Sequence, residues 1–392
     1  ALDSLPAAAG CAAADLDALA AALRGAEEIV VLYGERLLET AAGRLLGLAA
    51  RLGLEDTAGA GLLGIPDSAN GRGLREVGML PNAGPGLGEP PATGRDAPGI
   101  AHGLADGELD LVYLLGTDPL RSHPGRATWE AGLAAGRVIA HASFLTEGVR
   151  EHADVVFPAE ATAEKEGTVT HPDGRVQRLR PAIGRPGAVR AEWQVIAELS
   201  RRLGADPALP TIVVCSESLF DLVPFYAGLT LDELGGRGVR WPARDGAAAL
   251  LAAVGATTGA AGADEQPIGR SNVLAAPGAR LLLGTYRSIW AAPEVELSPA
   301  LKFLGREQRV ELSPADAARL GLGQGDEVLV TGGDGQVRGR AELRAAVPEG
   351  RVFLETGIAH QNANALEGPL VSVHRATSTN GAGTGTAARA HA

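Results

Sequence analysis

The charged and imidazole side chains of residues 151–177 (EHADVVFPAEATAEKEGTVTHPDGRVQ) are the first candidates for chemistry, since carboxylates and histidines can catalyse proton transfer or bind metal ions. However, a Glu–Lys–Glu triplet cannot place three side chains on one helical face, and the chain contains neither an HxxxH nor an HExxH motif. The stretch therefore predicts a solvated or interface surface more than a catalytic pair, and no metal site. Its candidate residues are His152, Asp154, Glu160, Glu164, Lys165, Glu166, His171 and Asp173.

A second candidate is the loop GTDPLRSHP, residues 116–124, which follows an apolar run and precedes a helical pattern. Open α/β sheets bind ligands at this end of their strands, and a helix N-terminus favours phosphate. Gly116 would let a ligand approach the backbone. Because the loop lacks GxGxxG or P-loop spacing, a simple turn in which Thr117 or Asp118 precedes Pro119 stays open as the alternative.

These residues need a scaffold, and residues 109–144 predict a strand, a loop, a helix and a second strand. A unit of this length nearly always gives two parallel strands with a right-handed crossover. Further on, VVFP predicts a buried strand, and Asp173-Gly174 predicts a tight turn before another strand.

The flanking regions carry similar signals. Residues 1–65 predict helix, strand and helix, and residues 191–204 predict an amphipathic helix ended by Gly204. The Gly/Pro-rich residues 81–99 predict an extended loop, and the Ala/Gly-rich residues 246–267 predict a weak helix followed by a linker.

After about residue 280 the pattern changes to short apolar strands separated by turn signals, typical of a small β-barrel. Asp334-Gly335 predicts a hairpin, and residues 313–322 predict a helix with Ser313 as N-cap and Gly321 as its end. We expect four regions: an α/β subdomain (1–70), an α/β cleft domain (71–205), an Ala/Gly-rich linker or insertion (206–270) and a C-terminal β-barrel domain (271–392).

Composition excludes several classes of protein. The net charge of −12 argues against a nucleic-acid surface. Cys11 and Cys215 lie far apart, so no CxxC framework for zinc, iron–sulfur clusters or disulfides is present. No apolar run reaches the ~18 residues of a membrane span, and no signal peptide opens the chain, which favours a cytoplasmic protein. The start without Met suggests a fragment.

The passage LLGTDPLRSHP followed by EHADVVFPAEATAEKEGTVTHPDGRVQ resembles the molybdopterin oxidoreductase superfamily, and SPADAARLGLGQGDEVLV resembles its C-terminal dinucleotide-binding barrel. Within that superfamily, three stretches are similar to the family of the large peripheral-arm G subunit of the proton-pumping NADH-quinone oxidoreductase, respiratory complex I, of actinobacterial type. They are ANGRGLREVGMLPNAGPG, YRSIWAAPEVELSPALKFLGREQRVELSP and NALEGPLVSVHR.

The resemblance implies an α/β fold: Rossmann-like parallel-sheet domains of the molybdopterin oxidoreductase type, followed by a small C-terminal β-barrel of the double-psi type. It implies that this chain is part of an oxidoreductase, does no catalysis itself and acts as a structural scaffold. The iron–sulfur clusters would lie in a preceding N-terminal region of the same polypeptide. That region and other peripheral-arm subunits would be the partners, and the chain would be peripheral on the cytoplasmic side of the membrane.

The resemblance also implies a former cofactor cleft for molybdopterin guanine dinucleotide. Its family has Asn where this chain has His171, so we expect no bound cofactor. An active formate dehydrogenase-like molybdoenzyme, or a module that binds an ordinary nucleotide, are the alternatives. The cleft residues would be Gly116, Thr117, Asp118, Ser122, His123, His171, Gly174 and Asp316.

Overall fold

A computed structural model describes residues 12–244, 247 and 280–376. The chain folds into two units, and each combines two separate segments. Unit 1 comprises Ala1–Asp96 and Pro158–Leu274, and unit 2 comprises Ala97–Phe157 and Ala275–Ala392. The four regions expected from the sequence stay a prediction.

Helices and strands alternate through most of the described residues, and strands predominate in the C-terminal third. The α-helices are α1 (Ala13–Gly25), α2 (Arg36–Arg51), α3 (Gly71–Glu76), α4 (Ala97–Ala105), α5 (Pro119–Ser122), α6 (Arg126–Ala135), α7 (Glu147–His152), α8 (Glu192–Arg202), α9 (Ile212–Leu222), α10 (Leu231–Leu234), α11 (Pro293–Glu296) and α12 (Pro314–Leu320). Short 3₁₀ helices occupy Pro85–Leu87, Thr162–Glu164, Pro224–Tyr226, Trp241–Ala243, Lys302–Leu304 and Ala363–Ala365. The strands are β1 (Val30–Gly34), β2 (Gly61–Ile65), β3 (Leu111–Leu115), β4 (Arg137–Ala142), β5 (Val155–Pro158), β6 (Gly167–Thr170), β7 (Arg175–Leu179), β8 (Val239–Arg240), β9 (Arg280–Tyr286), β10 (Arg309–Leu312), β11 (Glu327–Gly332), β12 (Gly335–Leu343), β13 (Arg351–Glu355) and β14 (Leu370–Arg375).

Unit 1 contains two small sheets. β1 and β2 pair in parallel, with Val30 opposite Gly61 and Gly34 opposite Ile65. β6, β7 and β8 form an antiparallel sheet, and the predicted turn at Asp173-Gly174 joins β6 to β7. Gly174 has a φ of +83°, and a Cβ there would overlap the Pro242 ring, so only glycine fits this turn.

The core of unit 1 contains a buried polar network around Glu76, whose side chain is almost fully enclosed. Its carboxylate accepts hydrogen bonds from Tyr226 Oη at 2.5 Å, Trp241 Nε1 at 3.1 Å and Arg72 Nε at 2.7 Å. Tyr226 also lies 3.0 Å from Thr170 Oγ1. Burial and the neighbouring Glu76 carboxylate raise the pKa of Tyr226, so its hydroxyl stays a donor.

The described part of the region 206–270, which we expected to be a linker or insertion, is folded. It contains α9, α10 and β8, and Thr211 and Thr230 cap the two helices. It also supplies aromatic and aliphatic side chains to the core of unit 1. The predicted weak helix and linker at 246–267 lie outside the described residues apart from Ala247. The buried side chains of this region include Phe220, Val223, Phe225, Tyr226, Leu231, Leu234 and Trp241.

The α/β part of unit 2 is the sheet β3–β4–β5 with α4, α6 and α7. β3 and β4 pair in parallel from Leu111 opposite Arg137 to Leu115 opposite His141, as the strand–helix–strand pattern predicted. The prediction that VVFP is buried is wrong: Val155 and Val156 in β5 are 46% and 37% exposed. β5 is an edge strand of this small sheet, and an edge strand need not be covered on both faces.

The C-terminal part of unit 2 is a closed six-stranded barrel in the order β10–β12–β11–β14–β9–β13. Pairs β10–β12 and β9–β13 are parallel, and the other four pairs are antiparallel. The interior is aliphatic, with Val310, Val328, Val352 and Val373 fully buried. The predicted fold class, parallel-sheet α/β structure followed by a small barrel, is therefore confirmed.

Two local signals in the barrel can be compared with the structure. Ser313 Oγ accepts from Asp316 N at 3.0 Å and caps α12, which ends at Gly321 with a φ of +69°, as predicted. The predicted hairpin joins β11 to β12, but Gly335 belongs to β12 and pairs with Gly332, so the two-residue loop is Gly333–Asp334. In the described part of the chain, no helix is both long and apolar enough to cross a membrane.

Candidate functional site

The predicted binding loop follows β3 and leads into α5. Its central carboxylate, that of Asp118, accepts hydrogen bonds from the backbone of the same unit. Asp118 Oδ1 accepts from Leu120 N at 3.0 Å and caps α5, whereas Oδ2 accepts from Gly148 N in α7 at 3.0 Å. Asp118 is only 7% exposed. Of the two turn residues considered from sequence, Asp118 is the cap, and both its oxygens are occupied by backbone donors.

The other residues of this loop are more open. Gly116 has a φ of +65°, and a Cβ placed on it would meet no atom within 4 Å. Thr117 Oγ1 and Ser122 Oγ lie 3.1 Å apart, and Ser122 Oγ donates to Asp118 O at 2.9 Å. The turn therefore has free space at its glycine, but its hydroxyls bond within the loop.

His123 ends the loop as the C-cap of α5. Burial lowers the pKa of His123 because desolvation penalises the imidazolium, so the ring is neutral at pH 7. The ring centroid lies 5.8 Å from that of Trp129, and the His123 carbonyl accepts from Asn364 Nδ2 at 2.9 Å. These contacts favour a packing role over a charged contact with phosphate.

A buried polar cluster that sequence reasoning missed joins α5 to loops of the barrel inside unit 2. Arg121 donates to Glu296 Oε2 at 2.7 Å and to Gly357 O at 2.5 Å. Asn362 Nδ2 donates to Arg121 O at 3.1 Å, and Asn364 Nδ2 donates to Leu120 O at 2.8 Å. These partners lie 175 to 244 residues apart in sequence, so no local pattern could have revealed them.

Asp316, the predicted contact from the barrel, is also fully engaged. Its Oδ2 accepts from Ser313 Oγ and from Gly350 N, both at 2.8 Å, and its Oδ1 accepts from Arg319 Nη2 at 2.6 Å. Burial by itself would raise the pKa of Asp316, but the hydrogen bonds and the charge of Arg319 outweigh it and lower that pKa below its usual value. The side chain holds α12 against the loop before β13.

His171 and Gly174, the remaining predicted residues, belong to unit 1, whereas the other six belong to unit 2. His171 Nδ1 lies 2.8 Å from Asp173 Oδ1 in the turn between β6 and β7. Contact with His171 and Arg175 lowers the pKa of Asp173, although burial opposes this change. Neither unit by itself therefore contains all eight predicted residues.

Several charged residues of 151–177 are likewise engaged in pairs with their own chain, and no cluster of three or more potential metal ligands occurs among the described residues. Asp154 Oδ2 accepts from Val138 N at 2.8 Å in unit 2. Glu164 is 7% exposed and accepts from Ala161 N at 3.0 Å, so the prediction of a solvated triplet is wrong for this residue. The other pairs are Glu160 with Arg185, Lys165 with Glu192, and Glu166 with Arg178.

A cavity of about 860 Å³ lies within unit 2, in the size range of ligand sites. Its walls come from the start of α7, the residues between β9 and β10, and the barrel strands; none of the eight predicted residues, all of which are described, lines it. Thr146 Oγ1 and Glu147 Oε2 in its wall are buried and have no hydrogen-bond partner within the described chain. Six basic and six acidic side chains line the cavity: Arg121, Arg150, Lys302, Arg306, Arg338 and Arg340, with Glu147, Glu151, Glu296, Glu307, Glu327 and Glu355.

The basic and acidic side chains that line this cavity are therefore equal in number, and several of them form ion pairs with one another. Arg121 pairs with Glu296, and Arg340 Nε and Nη2 lie 2.8 Å and 3.4 Å from Glu307 and Glu327. An anionic dinucleotide would find no excess of positive charge here.

Two family profiles match the chain. The profile described as "Molybdopterin oxidoreductase" matches residues 40–202, and the profile described as "Molydopterin dinucleotide binding domain" matches residues 285–381. The second match covers most of the barrel, from the end of β9 to β14.

Similar proteins include three curated relatives. The alpha subunit of an NADPH-Fe(3+) oxidoreductase from Geobacter sulfurreducens is 31% identical over 92% of this chain and 42% of the relative. The second G subunit of NADH-quinone oxidoreductase from Rhizobium meliloti is 30% identical over 86% of this chain and 41% of the relative. The alpha subunit of F420-dependent formate dehydrogenase 1 from Methanococcus maripaludis is 26% identical over 79% of this chain and 50% of the relative. The chain thus spans half or less of the length of each relative.

A similar fold occurs in the solved structure of acetylene hydratase from Pelobacter acetylenicus, with a TM-score of 0.55 at 16% identity, over 73% of this chain and 47% of that one. At this identity the likeness concerns the fold alone. The parallel sheets, the closed barrel, the two family profiles and the relatives agree, and the chain belongs to the molybdopterin oxidoreductase superfamily.

Proposed function

We propose that this chain is a scaffold portion of the large peripheral-arm subunit of an NADH-quinone oxidoreductase of the complex I type. It keeps the molybdoenzyme fold, holds no cofactor and transfers no electrons. One observation carries this proposal: the two carboxylates predicted to contact the dinucleotide, Asp118 and Asp316, have all four oxygens occupied by donors of their own chain.

The chemistry behind this observation is simple. A carboxylate that recognises a nucleotide must accept hydrogen bonds from the base or the ribose, and it needs unoccupied lone pairs directed at the ligand. Asp118 and Asp316 are more than 90% buried and direct their oxygens at backbone and side-chain donors of α5, α7 and α12. The buried and donor-bound carboxylates of Asp118 and Asp316 therefore support the proposal that this chain holds no molybdopterin guanine dinucleotide.

As a scaffold, the chain would support an iron–sulfur region of the longer polypeptide and neighbouring peripheral-arm subunits. The polypeptide would then lie on the cytoplasmic side of the cell membrane through its complex. Relatives that are named as oxidoreductase subunits and are longer than this chain support this placement.

Deletion of residues 97–376 from the chromosomal gene tests the scaffold role. We expect the complex purified from the host to lose iron–sulfur content, measured as iron per complex and by electron paramagnetic resonance, or to fail to assemble. The exposed substitution Asp334→Asn in the same gene is the matched control and should leave both readouts unchanged. A deletion strain with normal assembly and iron content contradicts the proposal.

The 860 Å³ cavity is the basis of a second candidate function, binding of a molybdopterin dinucleotide as in a formate dehydrogenase-like molybdoenzyme, although its balanced charges do not favour an anionic ligand. The buried and unpartnered Thr146 Oγ1 and Glu147 Oε2 in its wall are the observation that supports this alternative, because buried polar atoms normally have partners.

Elemental mass spectrometry for molybdenum and tungsten, together with the fluorescence of released and oxidised pterin, separates the two functions on protein purified from its own host. Near-stoichiometric metal and pterin would replace the scaffold proposal by the molybdoenzyme. The scaffold proposal expects neither. Protection of the same protein against heat by guanosine diphosphate without pterin would instead indicate a nucleotide-binding module.

A further inference from the structure

The first α/β segment of unit 1, residues 12–65, has no core of its own. It contains α1, β1, α2 and β2, but of its apolar side chains with described burial only Leu45, Ala49 and Leu54 are buried. None of the apolar core clusters in the described part of the chain includes a residue of this segment. Because helices and sheets are stable when each buries an apolar face against another element, this segment lacks part of its packing.

The sheet of this segment exposes one apolar face. Val30 and Leu32 are 55% and 64% exposed and point to the same side, because they are two residues apart in β1. In β2, Leu63 pairs with Leu32, and Ile65 lies two residues further on, so both share that side. Ile65 is 47% exposed. This surface, called here the β1–β2 face, therefore carries Val30, Leu32, Leu63 and Ile65 and no charged residue.

Both edges of the same sheet are open. Within the described chain, β1 and β2 pair only with each other, so each presents backbone N–H and C=O groups along its outer edge. No residue of either strand is buried. Parallel sheets occur in proteins with both faces covered, and a two-stranded sheet is marginal in water. The strand sequences VVLYG and GLLGI are apolar throughout, as is typical of strands covered on both faces.

The open edges restrict what can cover this sheet. A second copy stacked on the β1–β2 face, or a lipid surface, would cover the apolar side chains but leave the backbone groups of the edges without partners. A further parallel strand would pair with one edge, and parallel strands are joined by crossover helices that cover a face of the sheet. A single strand–helix segment therefore supplies both missing contacts.

The crossover also indicates where this segment belongs, because a crossover connection joins strands of one polypeptide. Within this chain, residues 1–11, 248–279 and 377–392 are rich in alanine and glycine, which are depleted in strands. The curated relatives are longer, since the chain spans 42% of the Geobacter sulfurreducens relative and 41% of the Rhizobium meliloti relative. The longer polypeptide therefore fits the occupant better than these remaining residues do.

We infer that the β1–β2 face is covered by a strand–helix segment of the longer polypeptide, outside residues 1–392. This segment extends the sheet by at least one parallel strand and places an apolar helix over Val30, Leu32 and Ile65. The inference rests on the proposed function, which takes this chain as a portion of a longer subunit. The scaffold is then joined to the remainder of its polypeptide by a continuous sheet as well as by the peptide bond.

Photo-cross-linking in the full-length protein tests this inference. The photoreactive residue p-benzoylphenylalanine is placed at position 32 or 65 of the chromosomal gene product in its own host, and the intact complex is irradiated, digested and studied by mass spectrometry. The matched control carries the same residue at position 203, because Leu203, also in unit 1, is 85% exposed and lies in no strand.

We expect both probes on the β1–β2 face to cross-link within their own polypeptide to a residue outside 1–392, and the position 203 probe not to reach that segment. Leu32→Lys should lower the yield from position 65 by about tenfold or more, because a buried lysine loses its hydration. Leu32→Met should keep the yield, since it conserves volume and apolar character, and Leu203→Lys should not change it.

Hydrogen exchange of the wild-type full-length protein gives a readout that needs no substitution. The backbone amides of residues 30–34 should exchange within about tenfold of those of residues 175–179, because β7 is the central strand of the other sheet of unit 1. Without a further strand, residues 30–34 should exchange at least about 100-fold faster than β7. Unchanged exchange of β7 in the variants should confirm that unit 1 is folded.

A cross-link from position 32 or 65 to a different polypeptide, to a second copy, to lipid or to residues 1–392 would overturn the inference. Fast exchange of residues 30–34, no cross-link from either position, or a segment reached equally from position 203 would do the same. The scaffold function survives each of these results if the chain still purifies with its complex. Near-stoichiometric molybdenum and pterin would instead remove the scaffold function and leave the sheet extension standing.

Discussion

The double role of Asp118 gives a quantitative prediction, because this buried carboxylate caps α5 through Leu120 N and holds α7 through Gly148 N. A hydrogen bond to a charged group contributes about 1.5–3 kcal/mol net. Asp118→Ala removes two such bonds but also removes the cost of burying the charge, so we expect a loss of about 3 kcal/mol in the free energy of unfolding of unit 2. Asp118→Asn is the more discriminating test of these two hydrogen bonds.

An asparagine at this position keeps one acceptor oxygen but directs its NH₂ group at the other backbone N–H. Whichever orientation the amide adopts, one donor then faces another, and we expect a loss of about 2 kcal/mol. The assay is urea unfolding followed by tryptophan fluorescence, since Trp129 is buried in unit 2, with a relative exposure of 4%. Hydrogen exchange of residues 117–124 and 146–150 should accelerate in both variants.

The exposed turn residue gives the control, because Asp334→Asn should change the unfolding free energy by less than about 0.5 kcal/mol. A change that small for Asp118→Asn would refute the argument that this carboxylate is occupied by the fold. It would also reopen Asp118 as a contact to a bound dinucleotide.

Three further predictions concern the buried Asp316, the buried Tyr226 and the closely packed Gly335. Because the pKa of Asp316 is lowered from its ordinary 3.8, its contribution to stability is present above that value and is lost as the pH falls through its folded-state pKa. The difference in urea stability between wild type and Asp316→Asn should therefore be constant above about pH 5 and shrink as the pH falls below it, and a difference that stays constant down to about pH 2 would contradict this cause. Tyr226→Phe should cost about 1–3 kcal/mol in urea unfolding because the buried Glu76 loses a donor, and an unchanged midpoint would show that Glu76 does not need it. Gly335→Ala should cost about 1–3 kcal/mol because its Cβ would overlap a loop carbonyl, whereas Gly323→Ala, whose Cβ would meet its nearest atom at 3.5 Å, should be nearly neutral by thermal unfolding.

Local signals in the sequence predicted much of the fold. Ser313, Pro314 and Gly321 define α12 because an N-cap, a first-turn proline and a left-handed C-cap act within a few residues. The parallel pair β3–β4 follows from chain connectivity alone. The apolar residues of the segment 212–244 were underestimated, because several short helices in succession leave only a weak periodic signal.

The candidate site was less predictable, and the reason is distance along the chain. Asp118 was recognised as polar and well placed, but its acceptor role towards Gly148 depends on a packing contact 30 residues away. The cluster of Arg121 with Glu296, Asn362 and Asn364 involves no motif at all. A sequence indicates that such polar residues exist, whereas only the fold reveals which of them are occupied by one another.

The same cluster has a consequence for the synthesis of the chain on the ribosome. Arg121 is translated 175 residues before its buried partner Glu296. At about 5–20 residues per second, the nascent chain carries this arginine without its carboxylate for roughly 10–35 s. β9 must likewise wait for β13 and β14 before the barrel can close. The segment 97–157 therefore leaves the ribosome before residues 275–392, the other segment of its unit.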